Sequence, residues 1–188
     1  MKKAIFWDLQ GTLGGDPVSN IKNFEPYPFA KDALSMAKES GFLNIVVTNQ
    51  SGIAMGKLSL EEYERERNRI LAEFNCERVL IDDFLCCPHS RNDNCDCKKP
   101  KTGMMDEAAE KYDLDISSCF VVGDMGMNEI VMAKNAGCPG ILVLTGAGRG
   151  SLGEFRDTWR DCEADYIAEN ALEAVRIIEE KEKEKNEL

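Results

Sequence analysis

Residues 4–13 read Ala-Ile-Phe-Trp-Asp-Leu-Gln-Gly-Thr-Leu. The four apolar residues predict a buried strand, and the carboxylate of Asp8 follows that strand directly. A turn that needs the conformational freedom of Gly11 comes next. A carboxylate at the end of a buried strand can attack phosphorus and form an aspartyl-phosphate. The alternative role for Asp8 alone is a helix cap or a turn residue.

Apolar runs and helix-like segments alternate along the rest of the chain. The predicted strands are residues 4–8, 44–48, 79–86, 119–123, 140–144 and 165–168. The predicted helices are residues 28–40, 60–74, 101–112, 127–136 and 171–183. This alternation predicts an α/β fold with a mostly parallel sheet that helices cover on both faces. We predict a single domain over residues 1–183 and a disordered tail at 184–188.

Composition restricts the possible partners. The chain has 188 residues and a net charge of −11, which argues against nonspecific binding to nucleic acid or to an anionic membrane. No stretch has the length and apolarity of a membrane span, and the apolar run near the N-terminus is too short for a signal peptide. The eight cysteines are therefore expected to be reduced thiols or metal ligands, and the expected location is cytoplasmic.

Polar residues follow three of the predicted strands, where parallel sheets bind their ligands. Asp8 and Asp124 are candidate carboxylate ligands for Mg²⁺, a cation that prefers oxygen donors. Thr48 and Asn49, together with backbone N–H groups of the turn after them, are candidates to hold a phosphate. A threonine at a strand end is also common without any such role.

Two lysines in the loop at 97–101 are candidates for charge stabilisation. Lys99 would neutralise the transferring phosphoryl group, and Lys98 would reach a substrate phosphate. The alternative is that both are solvated lysines of a basic loop.

The loop at 86–98 has the spacing of a metal site. Its candidate ligands are Cys87, His89, Cys95 and Cys97, a Cys₃His set that suits tetrahedral structural zinc. Neighbouring Cys86 is an alternative ligand, although its place at the end of a strand favours burial. Disulfides or free thiols remain the other interpretation.

Four short segments together resemble the motifs, in order, of the haloacid dehalogenase superfamily. They are Asp8-x-x-Gly11-Thr12, Thr48 to Ala54, Lys99-Pro100 and Gly123-Asp124. The spacing resembles the branch of heptose bisphosphate and histidinol-phosphate phosphatases, many of which share the cysteine loop. The resemblance implies a Rossmann-like three-layer sandwich with little or no cap domain, an aspartyl-phosphate intermediate and dependence on Mg²⁺. It also implies that the backbone carbonyl of Gln10 completes the protein ligands to that cation.

The sequence departs from this pattern at three positions. Gln10 replaces the aspartate that serves the family as general acid and base, and it cannot exchange a proton at neutral pH. Asn128 replaces a second acid, and Met55 stands where the heptose phosphatases usually have arginine. Gln10 is a natural change marking a weak or altered enzyme, a substitution introduced to trap a complex, or a residue whose task another group performs.

The sequence as a whole predicts a Mg²⁺-dependent phosphomonoester hydrolase with a structural Zn²⁺. Its substrate would be a small phosphorylated metabolite, a sugar phosphate or histidinol phosphate, and Gln10 would slow its turnover. We expect a monomer or a small homo-oligomer with no nucleic acid or membrane partner. The alternatives are a catalytically impaired binding or regulatory protein, and a polynucleotide 3′-phosphatase, against which the acidic chain and the cysteine loop count.

Overall fold

A computed structural model describes residues 1–187 as one six-stranded sheet between layers of helices. The strands are β1 (Ala4–Trp7), β2 (Leu43–Asn49), β3 (Asp83–Cys87), β4 (Phe120–Gly123), β5 (Gly140–Val143) and β6 (Tyr166–Ala168). All neighbouring strands are parallel, and their order across the sheet is β3-β2-β1-β4-β5-β6. This is the strand order of the Rossmann fold, as predicted.

Helices cover both faces of the sheet because successive strand residues point in opposite directions. The helices are α1 (Ala30–Glu39), α2 (Leu60–Phe74), α3 (Gly103–Tyr112), α4 (Val131–Ala136), α5 (Gly148–Leu152) and α6 (Ala171–Asn186). Ile5 and Trp7 of β1 pack in the core beneath α1, α2 and α6. Ala4 and Phe6 pack in a second core with α3 and α4. The result is the predicted three-layer sandwich.

A buried hydrogen-bond network fixes the first core. Asn44, which is fully buried, accepts a bond of 2.9 Å from Trp7 Nε1. Its amide nitrogen donates to the carbonyls of Leu34 and Leu80, each at 2.8 Å. One side chain therefore joins β1, α1 and the segment before β3, and it satisfies polar groups that would otherwise be buried without partners.

Most element boundaries agree with the predictions to within three residues, but the third strand does not. It begins at Asp83 rather than at 79, because the backbone N–H groups of Leu80 and Ile81 donate to Asn75 Oδ1 at the end of α2. The predicted helix at 127–136 begins as a wide turn at Gly126–Ile130, and α5 was not predicted.

The last helix, α6, extends to Asn186, three residues beyond the predicted end of the domain. The proposed tail at 184–188 therefore starts within helical backbone, and Leu188 lies outside the described residues. Within the described part of the chain, no helix is both long and apolar enough to cross a membrane.

The sheet topology determines where a ligand can bind. The chain moves outward from β1 through β2 to β3 and then returns to the other side of β1 at β4. The carboxyl ends of β1 and β4 therefore flank the crevice at which open α/β sheets bind ligands. Asp8 follows β1 and Asp124 follows β4, so both carboxylates lie at this crevice.

Candidate active site and metal centre

Asp8 and Lys99 form a direct ion pair at the crevice. Lys99 Nζ lies 2.6 Å from Asp8 Oδ1, and it also donates to the carbonyl of Val47 at 2.9 Å. Thr12 Oγ1 donates to the other oxygen, Asp8 Oδ2, at 3.3 Å. These contacts hold the Asp8 carboxylate in place, and because Asp8 is 8% exposed, a ligand in the crevice can still reach it.

A second carboxylate, Glu129, contacts the same lysine. Its Oε1 lies 2.7 Å from Lys99 Nζ, and its Oε2 accepts from the backbone N–H of Met125 at 3.0 Å. Burial alone would lower the pKa of Lys99, but the charges of Asp8 and Glu129 outweigh it and raise that pKa. Lys99 is therefore charged throughout the neutral range.

Asp124 is held by the loop that follows β5. Its Oδ2 accepts from the backbone N–H of Ala147 at 2.7 Å, and Ser151 Oγ donates to its carbonyl. A Cβ at Gly11 would lie 2.1 Å from Asp124 Oδ2, and one at Gly146 would lie 2.2 Å away. Both positions also have positive φ, so only glycine allows the turn after Asp8 to approach Asp124.

Asp8, Asp124, Glu129 and Lys99 line one small space of about 70 Å³, which we call the reaction cavity. Three carboxylates therefore face a single ammonium group. Burial, followed by the charges of Asp8 and Glu129, raises the pKa of Asp124 well above its usual range. Burial also raises the pKa of Glu129 to about 7, although the charge of Lys99 opposes this. The three carboxylates supply both negative charge and oxygen ligands, which a hard divalent cation such as Mg²⁺ prefers.

The side chain of Gln10 is bonded within the protein. Gln50 Nε2 donates to Gln10 Oε1 at 2.9 Å and to Thr48 Oγ1 at 3.0 Å. Gln10 Nε2 donates to the carbonyls of Ser19 and Asp16, at 2.8 and 3.2 Å. The amide thus connects the turn after β2 to the loop between β1 and α1, and Thr48 is buried beneath it.

Asn49 contacts the backbone of Lys99 with both ends of its amide. Its Oδ1 accepts from Lys99 N at 3.1 Å, and its Nδ2 donates to Lys99 O at 3.2 Å. Asn49 also lines the reaction cavity. It therefore positions the lysine, a contact that sequence analysis did not foresee.

A wider cleft of about 790 Å³ adjoins the reaction cavity, and we call it the outer cleft. The two spaces share Asn49, Lys99 and Asn128 in their walls. Besides Lys99, the outer cleft is lined by three cationic side chains and two methionines: Arg91, Lys98, Lys101, Met55 and Met127. Lys98 Nζ donates to Ser51 Oγ and to His89 O, so it is anchored to the turn after β2.

The four predicted zinc ligands come together in the loop after β3. The ligand atoms of Cys87, His89, Cys95 and Cys97 all lie within 4.8 Å of one another. Cys87 Sγ is 3.7 Å from Cys95 Sγ, close to the ~3.8 Å that a tetrahedral ion with 2.3 Å bonds imposes. A disulfide would need about 2.0 Å.

The protonation chemistry of this cluster also suits a cation. Burial raises the pKa of Cys97 to about 12, with further contributions from hydrogen bonds to Cys87 and Cys95 and from repulsion between the thiolates. A divalent ion would remove that repulsion. Cys86, the alternative ligand, lies outside the cluster and packs against the core beneath α2.

Comparison with known proteins identifies the family. Residues 96–174 match the model of the HAD-hydrolase-like family. The chain is 34% identical over 159 residues to D-glycero-beta-D-manno-heptose-1,7-bisphosphate 7-phosphatase of Pseudomonas aeruginosa, covering 81% of this chain and 87% of the relative. The chain belongs to the HAD-like hydrolases. The Pseudomonas relative is named a phosphatase, and the chain is accordingly placed among the phosphoric monoester hydrolases of that family.

Two further similarities place this HAD-like chain more closely. The bifunctional histidine biosynthesis protein HisB of Campylobacter jejuni is 33% identical over 145 residues, which are 74% of this chain and 41% of that protein. The crystal structure of D,D-heptose 1,7-bisphosphate phosphatase from B. bronchiseptica, complexed with magnesium and phosphate, is 25% identical. It superposes with a TM-score of 0.83 over 96% of this chain and 99% of the other. The predicted family and fold are therefore confirmed.

The HAD-like site contains two side chains that sequence analysis missed. Glu129 directly follows Asn128, the position on which sequence reasoning concentrated, and it is this residue that contacts Lys99. Gly123 was a signal for it, since a Cβ there would lie 2.1 Å from Glu129 Cγ. Gln50 was noted only as part of a turn, although it bonds to Gln10.

Proposed function

We propose that this chain is a Mg²⁺-dependent phosphomonoester hydrolase that acts through an aspartyl-phosphate on Asp8. The observation that carries the proposal is the convergence of Asp8, Lys99 and Asp124 on one cavity at the carboxyl edge of the sheet. Asp8 provides a nucleophilic carboxylate, the Lys99 ammonium provides positive charge for the phosphoryl group, and Asp124 provides a second carboxylate to bind a metal ion.

Each side chain then has a role that its contacts support. Asp8 Oδ2, which accepts a hydrogen bond of 3.3 Å from the Thr12 hydroxyl, would attack phosphorus, since Oδ1 is paired with Lys99. Lys99 would offset the charge of the phosphoryl oxygens. Thr48 and Asn49 line the same cavity and would contact those oxygens, with Asn49 also fixing the position of Lys99.

Two cations complete this proposal. Mg²⁺ bound by Asp8, Asp124 and the Gln10 carbonyl would reduce the repulsion between an anionic nucleophile and an anionic substrate. Zn²⁺ on Cys87, His89, Cys95 and Cys97 would fix the loop that leads directly into Lys98 and Lys99.

The outer cleft supports a small metabolite with a second anionic group. Arg91, Lys98 and Lys101 line it and would bind a second phosphate of the substrate. A sugar phosphate is the leading candidate, in keeping with the relatives named for heptose bisphosphate. Histidinol phosphate is the other.

The position of Gln10 favours a second candidate function, a binding or regulatory protein with impaired chemistry. Gln10 cannot transfer a proton, and a general acid and base contributes about 10²–10⁴-fold to such reactions. The retained Asp8 and Lys99 favour the hydrolase, since binding alone requires no nucleophile.

The deciding experiment follows phosphate release and covalent labelling together. Protein at high concentration is mixed with Mg²⁺ and ³²P-labelled substrates from a panel of sugar and amino-alcohol phosphates, and acid-stable label is measured beside free phosphate. Labelling that Asp8→Asn abolishes would establish the nucleophile. If wild type binds these phosphates but neither labels nor releases phosphate, the binding protein is the correct description.

Location and assembly remain part of the proposal. Eight cysteines, four of them clustered as candidate metal ligands, favour the reducing cytoplasm. We expect a monomer or a small homo-oligomer, which light scattering of the purified protein would establish.

A further inference from the structure

Among the described residues that line the reaction cavity, none is free to protonate a leaving group once Asp124 holds the proposed cation and Glu129 is paired with Lys99. Both N–H groups of the Gln10 amide are engaged by Asp16 O and Ser19 O, and its oxygen accepts from Gln50. An amide does not ionise near neutrality in any case. The residue that would donate the proton in the family pattern is here a fully bonded connection between two loops.

The remaining carboxyl groups are also committed. Glu129 is 1% exposed, and its two oxygens accept from Lys99 Nζ and Met125 N. Asp124 accepts from Ala147 N, and the Mg²⁺ that it is proposed to bind would keep its carboxylate ionised. Asp16 is exposed on the loop before α1 and its Oδ1 caps Val18 N, so it does not line the cavity.

A leaving group in this site must therefore depart as an anion. An Asp8 oxygen forms the new bond to phosphorus, and the P–O bond to the leaving group breaks with its electron pair on the departing oxygen. That oxygen takes a proton from water only afterwards. Alcohols are poor leaving groups under this condition, whereas a phenol, with a pKa of about 10, departs far more readily.

The outer cleft is suited to such a group. Met55 and Met127 provide polarisable apolar walls, and methionine sulfur contacts aromatic rings favourably. Lys98, half-buried between Ser51 and His89, supplies a positive charge beside a departing anion. Met55 is 57% exposed, so its side chain is available to a ligand rather than packed in the core.

We propose that the substrates this chain cleaves efficiently are phosphate esters of acidic hydroxyls, aromatic or enolic, rather than of ordinary alcohols. This inference rests on the proposed hydrolase chemistry but narrows its substrates: a sugar phosphate or histidinol phosphate is an ester of an ordinary alcohol and would be cleaved slowly. Gln10 would cause the preference for acidic leaving groups because it cannot donate a proton, and Met55 and Met127 would contact an aromatic leaving group.

The test measures the first turnover, because slow hydrolysis of the aspartyl-phosphate would make steady-state rates alike for all substrates. Enzyme with Mg²⁺ is mixed rapidly with para-nitrophenyl phosphate, phenyl phosphate or glycerol phosphate, and the burst of alcohol or phenol release is recorded. Wild type, Gln10→Asp and Gln10→Asn are compared. Asparagine has the size of aspartate but no transferable proton, so it is the matched control.

We expect the wild-type burst to slow steeply from para-nitrophenyl phosphate to glycerol phosphate. Gln10→Asp should accelerate the glycerol phosphate burst by about 10²–10⁴-fold, and the para-nitrophenyl phosphate burst by less than tenfold. Gln10→Asn should accelerate neither, and Asp16→Asn should leave all wild-type rates within about twofold.

Three results would overturn the inference without contradicting the proposed hydrolase activity. The first is a wild-type burst rate with glycerol phosphate within tenfold of the rate with para-nitrophenyl phosphate. The second is an equal increase of the glycerol phosphate burst rate in Gln10→Asn and Gln10→Asp, and the third is a loss of the wild-type burst in Asp16→Asn. If no variant, Gln10→Asp included, gives a burst that depends on Asp8, the proposed function itself has failed.

Discussion

Lys99 Nζ lies 2.7 Å from Glu129 Oε1, and both side chains are only 1% exposed. The same ammonium pairs with Asp8 at 2.6 Å, so one lysine stands between a carboxylate from the β1 end and another from the turn after β4. Because Asp8 is the proposed nucleophile, Glu129 determines how much of the lysine charge remains for the phosphoryl group.

Glu129→Gln should destabilise the protein by about 1–3 kcal/mol, since a buried, charge-assisted bond to Lys99 is weakened while Asp8 still compensates the lysine. Chemical denaturation would measure this free energy. Glu163→Gln is the matched control, because its ion pair with Arg156 at 2.6 Å is 84% exposed on the glutamate side. We expect a change below about 1 kcal/mol there. Equal losses in the two variants would contradict the role given to Glu129.

Gly123→Ala should destabilise the protein by about 1–3 kcal/mol, because its Cβ would lie 2.1 Å from Glu129 Cγ. Gly52→Ala is the control, since its Cβ would find its nearest neighbour at 3.8 Å. Combining Gly123→Ala with Glu129→Gly should recover part of the loss, because glycine removes both Glu129 Cγ and Glu129 Cβ, which would lie 2.1 and 2.6 Å from the added Cβ. Strict additivity of the two losses would show that the contact is not the cause.

Asn44→Leu should cost about 3–5 kcal/mol of the free energy of unfolding. It removes the partners of Trp7 Nε1 and of the carbonyls of Leu34 and Leu80, all in the core. Asn135→Leu, at an exposed position with one bond to Pro100 O, should cost less than about 1 kcal/mol. Comparable losses would mean that the buried network contributes little.

Cys95→Ser should abolish stoichiometric zinc and lower the melting temperature by roughly 5–10 °C, because the loop loses its metal. Cys76→Ser replaces an exposed thiol outside the cluster, so this variant should retain the zinc and the wild-type melting temperature. Elemental analysis and thermal unfolding with and without a chelator would measure the two effects. A wild-type protein that contains no metal and ignores the chelator would exclude the zinc site.

Local patterns in the sequence were enough to predict the layers of the fold and the positions of several site residues. Apolar strand segments followed by polar residues identified Asp8, Thr48, Asn49 and Asp124, because a parallel sheet brings the carboxyl ends of its strands to one edge. The spacing of cysteines around His89 predicted a cluster of four potential metal ligands, and the structure brings these side chains together because all four lie within one short loop. The boundary of β3 was misplaced because Asn75, at the end of another element, captures the N–H groups before it.

Only the tertiary structure decided how the charged groups of the site are paired. Glu129 and Lys99 are thirty positions apart in sequence, and nothing local indicates that they meet in a buried pair. In the sequence, Gln10 shows only that an acidic residue is missing. In the structure, its side-chain amide hydrogen-bonds to both Gln50 and the carbonyl of Ser19, in the loop after β1. Strands and turns form mainly through interactions between residues that are close in sequence, so short sequence patterns predict them. The pairing of distant side chains depends on how the helices pack on the sheet, and no short segment specifies that packing.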